Sequence, residues 1–151
     1  MAEATAWVLA LEGGLWAAVG EHEMIHIVQA PRLFAIPDTP AYCRQVLRWE
    51  DAIVPVMDVA AWLRGVSACD VPGMVGIFAF QTPADIGYGA LPLQVIPARR
   101  RVRDQQACAL PIEWPGWARI ALSCFKDDDR ETPILDLSTL FADTLLSVPP
   151  A

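Results

Sequence analysis

The residues best suited to chemistry lie together at His22-Glu23-Met24-Ile25-His26, an HExxH pattern holding both histidines of the 151-residue chain. On a helix, histidines four apart share a face and can bind zinc, with the Glu between them as general base toward metal-bound water. Glu50 is an acid that can be imagined as a third ligand. A small zinc-dependent hydrolase is therefore one reading. The flanks oppose it. Gly20 and Pro31 confine the segment, and Ile25-His26-Ile27-Val28 is rich in β-branched residues, which favour strand. Residues four apart along a strand are ~13 Å apart, too far for one zinc ion. The favoured expectation is incidental surface histidines, with no metal site, no cofactor and no catalytic residue.

Other catalytic patterns are missing: there is no GxSxG elbow, no GxxxxGK[ST] loop and no GxGxxG. Gly87-Tyr88-Gly89 alone carries too little information for a cofactor site. Arg99-Arg100-Arg101-Val102-Arg103 holds four of the eleven basic residues. It can meet phosphate, nucleic acid or an acidic partner, but a solvated turn or edge strand is the commoner use. Asp127-Asp128-Asp129 lacks the D-x-D-x-D-G spacing of a calcium loop and reads as an exposed loop between strands. Cys43, Cys69, Cys108 and Cys124 form no CxxC pair and are expected as free, buried thiols; a two-disulfide framework is not demanded by so apolar a chain. Of six tryptophans, most belong in the core. Trp49, set among charges in Arg48-Trp49-Glu50-Asp51, is expected at a turn facing a partner, because large aromatics anchor interfaces.

Composition narrows the class. Residues AVILMFWYC make up 54% of the chain, enough for a sizeable core in one domain or two small lobes. Acids outnumber bases 18 to 11, a net charge of −7, so an overall nucleic-acid footprint is absent. Apolar stretches are cut by Glu12, Glu21, Pro or Asp before the ~18 residues of a membrane helix. No Lys or Arg precedes Arg32, unlike a basic secretory leader. The expected location is cytoplasmic.

The elements that must position these residues are mostly short strands. Candidates are Trp7–Leu11, Leu15–Val19 after a Gly13-Gly14 turn, Ile25–Val28, Ala52–Met57, Met74–Phe80, Leu91–Ile96, Arg119–Phe125 and Thr132–Leu135. Frequent Pro and Gly between them favour a barrel or sandwich. Helix signals are Ser138–Leu146 capped by Asp136 or Ser138, Val59–Leu63 after Asp58, and one turn within Pro40–Leu47; short polar side chains cap by accepting from free backbone N–H groups. Pro55-Val56-Met57-Asp58-Val59-Ala60-Ala61-Trp62-Leu63 recurs 78 residues later as Pro133-Ile134-Leu135-Asp136-Leu137-Ser138-Thr139-Leu140-Phe141. A strand ending in a helix-capping Asp, used twice, implies two similar lobes.

In order along the chain, these segments resemble the CheW-like domain of bacterial chemotaxis coupling proteins. Leu15–Val19, Met24–Ile27 and Ile36-Pro37-Asp38-Thr39-Pro40-Ala41-Tyr42 are similar to the family's "lyAlp…V-x-E-I…iP-x-x-P-x-y" run. Val46–Leu63, centred on Ile53-Val54-Pro55-Val56-Met57-Asp58-Val59, is similar to "G-V-x-N-L-R-G-x-i-i-P-v-i-D-L". Ala118–Leu122 with Thr132–Phe141 resembles the closing strands and final "iLDl-x-x-L" helix. The resemblance spans residues 5–146, leaving 147–151 as a frayed tail. It implies a mainly β fold: two small five-stranded SH3-like β-barrel lobes on a shared core, with short helices including a C-terminal one. It also implies a non-enzymatic adaptor between a chemoreceptor's cytoplasmic tip and a histidine kinase's regulatory domain, in chemotaxis or surface motility.

The departures fall on the partner-facing turn. The family's N-L-R-G becomes Arg48-Trp49-Glu50-Asp51, which inverts a charge at Glu50 and replaces glycine by Asp51. Gln45 stands for a glycine, and His26 for an acid. Asp tolerates a left-handed backbone, so the turn is expected to survive at Asp51 with altered partner affinity. The expected partner-binding residues are Val46, Arg48, Trp49, Glu50 and Asp51, with His26 and Arg32.

Overall fold

The computed structural model describes residues 3–65 and 71–142, and those residues form eleven strands, three short α-helices and two 3-10 turns. The strands are β1 (Glu3–Ala10), β2 (Trp16–Gly20), β3 (Met24–Gln29), β4 (Leu33–Ala35), β5 (Gln45–Trp49), β6 (Ala52–Val56), β7 (Met74–Gln81), β8 (Ile86–Pro92), β9 (Ala98–Arg103), β10 (Ala121–Asp127) and β11 (Arg130–Leu135). The helices are α1 (Val59–Arg64), α2 (Trp117–Ile120) and α3 (Leu137–Leu140). The fold is mainly β, in two curled sheets. One has five strands in the order β10-β11-β2-β1-β9; the other has six, β3-β7-β8-β6-β5-β4. The family resemblance implies five in each. The additional strand is the three-residue β4, too short for periodicity to reveal.

The recurring Asp unit is a structural repeat. β6 meets β8 in parallel at Val56↔Ala90, and β11 meets β2 in parallel at Ile134↔Ala18. Each of these strands runs into a fully buried residue, Met57 or Leu135. An Asp then starts the helix: Asp58 Oδ1 accepts from the Ala61 N–H at 3.0 Å, and Asp136 Oδ1 from the Thr139 N–H at 3.3 Å. Each cap satisfies a donor that the first helical turn leaves free. Burial pushes the Asp136 carboxyl up, but hydrogen bonds from Thr139 and Ser138 outweigh it and hold the carboxyl below its ordinary value.

The main core belongs to both sheets. Leu9, Ala17 and Val19 of one meet Phe78, Phe80 and Leu91 of the other, with Trp117, Leu137 and Leu140 from the helices. A smaller core of Leu47, Val54, Val56, Val75, Ile77 and Ala90 fills the six-stranded lobe.

Several expectations shift. The strand expected at Leu91–Ile96 is β8, which ends at Pro92. Its glycines are not breakers: a Cβ at Gly87 would meet the Phe80 ring, and one at Gly89 the Phe141 ring. Glycine in a strand marks such close approach. Arg119 and Ile120 end α2 rather than open β10. The turn within Pro40–Leu47 is a single hydrogen bond, Cys43 N–H to Pro40 O at 3.0 Å, before β5 begins. The C-terminal helix covers Leu137–Leu140; the rest of Ser138–Leu146, the 147–151 tail and Cys69 fall partly or wholly outside the described residues. Cys43 and Cys124 are buried free thiols, but Cys108 is only half-buried.

The arginine run pairs with acids of β1, of the turn after β2 and of β10. β9 is a sheet edge, as one reading of the arginines foresees. Arg99 reaches Glu21 at 2.8 Å, Arg103 reaches Glu3 at 3.2 Å and Arg100 reaches Asp127 at 3.6 Å. Asp127 is therefore not in an exposed loop; it is buried at the end of β10. Asp128 and Asp129 form the two-residue hairpin loop with φ of 50° and 66°, the left-handed pair that an I′ turn needs.

Candidate docking surface

Alternation along β4, β5 and β6 sends Leu33, Leu47, Trp49, Ala52, Val54 and Val56 into the smaller core. The intervening residues then face outward. Cross-strand pairs place Phe34 beside Val46, Val46 beside Pro55, and Arg48 beside Ile53. Phe34 is 46% exposed and Ile53 67%. Arg32 lies over the Phe34 ring at 5.4 Å. The outcome is an apolar face spanning three strands, bordered by Arg32 and Arg48, beside the sheet edge at β4. Large apolar side chains held in water by a regular sheet are the raw material of a protein interface.

The sequence-predicted residues separate into three places. Val46, Arg48 and Arg32 share this outer face. Trp49 does not: it is half-buried against the smaller core, with its ring 5.7 Å from Tyr88 and 6.2 Å from His26. Glu50 and Asp51 form the tip between β5 and β6. Phe34, Ile53 and Pro55 are what sequence reading missed. The signal was present in Ala52–Val56, where apolar residues occupy both parities and one set must face water.

Trp117 alone of the tryptophans is fully buried; the other five pack against the cores from their margins, half-buried. Trp7, Trp16, Trp62 and Trp114 are half-buried beneath the guanidiniums of Arg99, Arg130, Arg119 and Arg64, at 3.6–5.7 Å from the ring centroids. An arginine so placed shields an indole face while its charge stays in water. Trp49 has ring neighbours instead.

The tip also differs from expectation. Glu50, not Asp51, takes the left-handed backbone, with φ of 54°. A positive φ at only the first loop residue is the II′ pattern, which prefers glycine there. Replacing Glu50 by Gly is expected to raise stability by up to about 1 kcal/mol, read as a higher urea midpoint at unchanged slope.

The zinc geometry is not formed. His22 lies in the turn before β3 and His26 on β3 itself, so the two share no helical turn. Glu23 Oε1 instead accepts from the Gly20 N–H at 2.7 Å, closing that turn. Among the described residues no three His, Cys, Asp or Glu side chains gather as a metal site.

Two half-barrels on a common core, each finished by an Asp-capped helix, match the architecture implied by the ordered motifs. The family model of the CheW-like domain matches residues 8–144, and the chain belongs to that family. Among solved structures it is similar to the scaffolding protein TtCheW from Thermoanaerobacter tengcongensis, at 15% identity and a TM-score of 0.71, over 93% of this chain and 94% of that one. No curated protein matches the chain. Among the described residues, no helix is long and apolar enough to cross a membrane.

Proposed function

We propose that residues 5–146 act as a single CheW-like adaptor domain in the cytoplasm, without catalysis, coupling a chemoreceptor's cytoplasmic tip to a histidine kinase's regulatory domain. Family membership supports the class. The observation that carries a docking role is the outer face of β4–β6, with Phe34 and Ile53 exposed between Arg32 and Arg48. Such a face fits an apolar partner patch with acidic groups at its rim. Glu50 and Asp51 at the adjoining tip set a negative charge where the family carries a basic residue, which selects against partners suited to that charge.

The test is calorimetric titration of the whole chain with the receptor tip and the kinase regulatory domain encoded beside it. Saturable binding to both, with a ternary complex, supports coupling. Binding to neither overturns it.

A further inference from the structure

Cys108 follows the Ala107↔Phe125 antiparallel bridge, and its N–H donates to Cys124 O at 3.0 Å. That places the two cysteines directly across from each other. Directly opposed antiparallel residues have Cα atoms about 4.5–5.5 Å apart, inside the range a disulfide spans. Their sulfurs are 3.3 Å apart. Closing that gap to a covalent bond takes a movement of about 1.3 Å, well within side-chain rotation.

We propose that Cys108 and Cys124 are an oxidisable dithiol, a modification site where hydrogen peroxide converts the pair to a disulfide that staples the segment after β9 to β10. Cys108 is the half-buried member and Cys124 the buried one. Cys108 is the sulfur that solvent reaches, so Cys108 attacks first; burial first, then the hydrogen bond with Cys108, pushes the Cys124 thiol up. Peroxide meets Cys108 through that sulfur's partial exposure, while a cleft of about 240 Å³ on the Cys124 side, lined in part by Arg103, Ala107 and Cys124, leaves room for the released water. Cys43 is different: it is buried, and burial pushes its thiol up to about 11.

The chemistry balances. The Cys108 thiolate attacks a peroxide oxygen, the O–O bond breaks, and hydroxide leaves and takes up the thiol's proton as water. The product is a sulfenic acid. The Cys124 sulfur then attacks that sulfur, the S–OH bond breaks, and hydroxide leaves with the Cys124 proton as a second water. Two electrons pass from the sulfurs to the peroxide. Cys124 lies on β10 of the five-stranded sheet and Cys108 on the segment bridged to it, so the pair's fate is independent of docking on the six-stranded one.

The test oxidises the reduced full chain with hydrogen peroxide, blocks remaining thiols with a maleimide and maps tryptic peptides by mass. Cleavage after Arg103, Arg119 and Lys126 puts Cys108 and Cys124 on separate peptides. The expected product joins them, about 2 Da lighter than their sum, and forms faster as pH rises. In Cys124→Ser the same exposure stops at a Cys108 sulfenic acid captured by dimedone. Two thiols still open to the maleimide, a Cys108 sulfinic acid without linkage, or Cys108 joined to Cys43, Cys69 or another chain overturns the proposal.

Discussion

An Ile53→Asp protein is expected to fold normally and to lose about thirty-fold in affinity for a coupling partner. Ile53 is 67% exposed and faces away from the smaller core, so the free protein gives up little packing. Its directly opposed neighbour is Arg48, and an opposite-charge pair across strands is mildly favourable. In a complex the same carboxylate enters the centre of an apolar contact. Loss of a central anchor costs about 2 kcal/mol, or about thirty-fold. Titration with the receptor tip and the kinase regulatory domain, alongside thermal unfolding, reads both quantities. Full affinity for both partners with an unchanged melting curve removes this face from the site. Trp49→Ala is a poorer probe: its indole packs on the smaller core beside Tyr88 and His26, so weakened binding and weakened folding arrive together.

The second large effect is on stability. Trp117→Ala is expected to cost about 3–5 kcal/mol, the range for emptying a buried aromatic site, out of the 5–15 kcal/mol typical of a whole domain. Trp117 is 2% exposed in the core that both sheets build. Because neither sheet owns that core, calorimetry should show one transition moved to lower temperature. Two separated transitions, with only one displaced, would show instead that the lobes melt as independent units.

What was legible in the sequence follows the physics of each signal. The Asp58 and Asp136 units were readable because a buried strand end, a capping carboxylate and an inward helix face all leave marks within nine residues. The β1–β2 hairpin was readable from two apolar runs around Gly13-Gly14. β8 was misplaced because Gly87 and Gly89 look like punctuation until the rings of Phe80 and Phe141 are known to lie against them. That information belongs to residues far away in sequence. β4 and β5 were hidden by the Pro-rich stretch between Ile36 and Pro40. Trp49 misled because charged neighbours describe the turn, while the ring itself follows strand parity into the lobe. Asp51 attracts the left-handed position through its tolerance for that backbone, but the positive φ falls one residue earlier, at Glu50.

The chain path itself has a consequence for synthesis on the ribosome. β1 and β2 leave the exit tunnel ahead of β3–β8, yet their flanking partners β9 and β11 lie beyond residue 97. The six-stranded lobe is assembled wholly from residues 24–92. The nascent domain therefore completes the six-stranded lobe before the five-stranded one. The opening hairpin must wait, with an apolar side uncovered, until the last strands are translated and return to it.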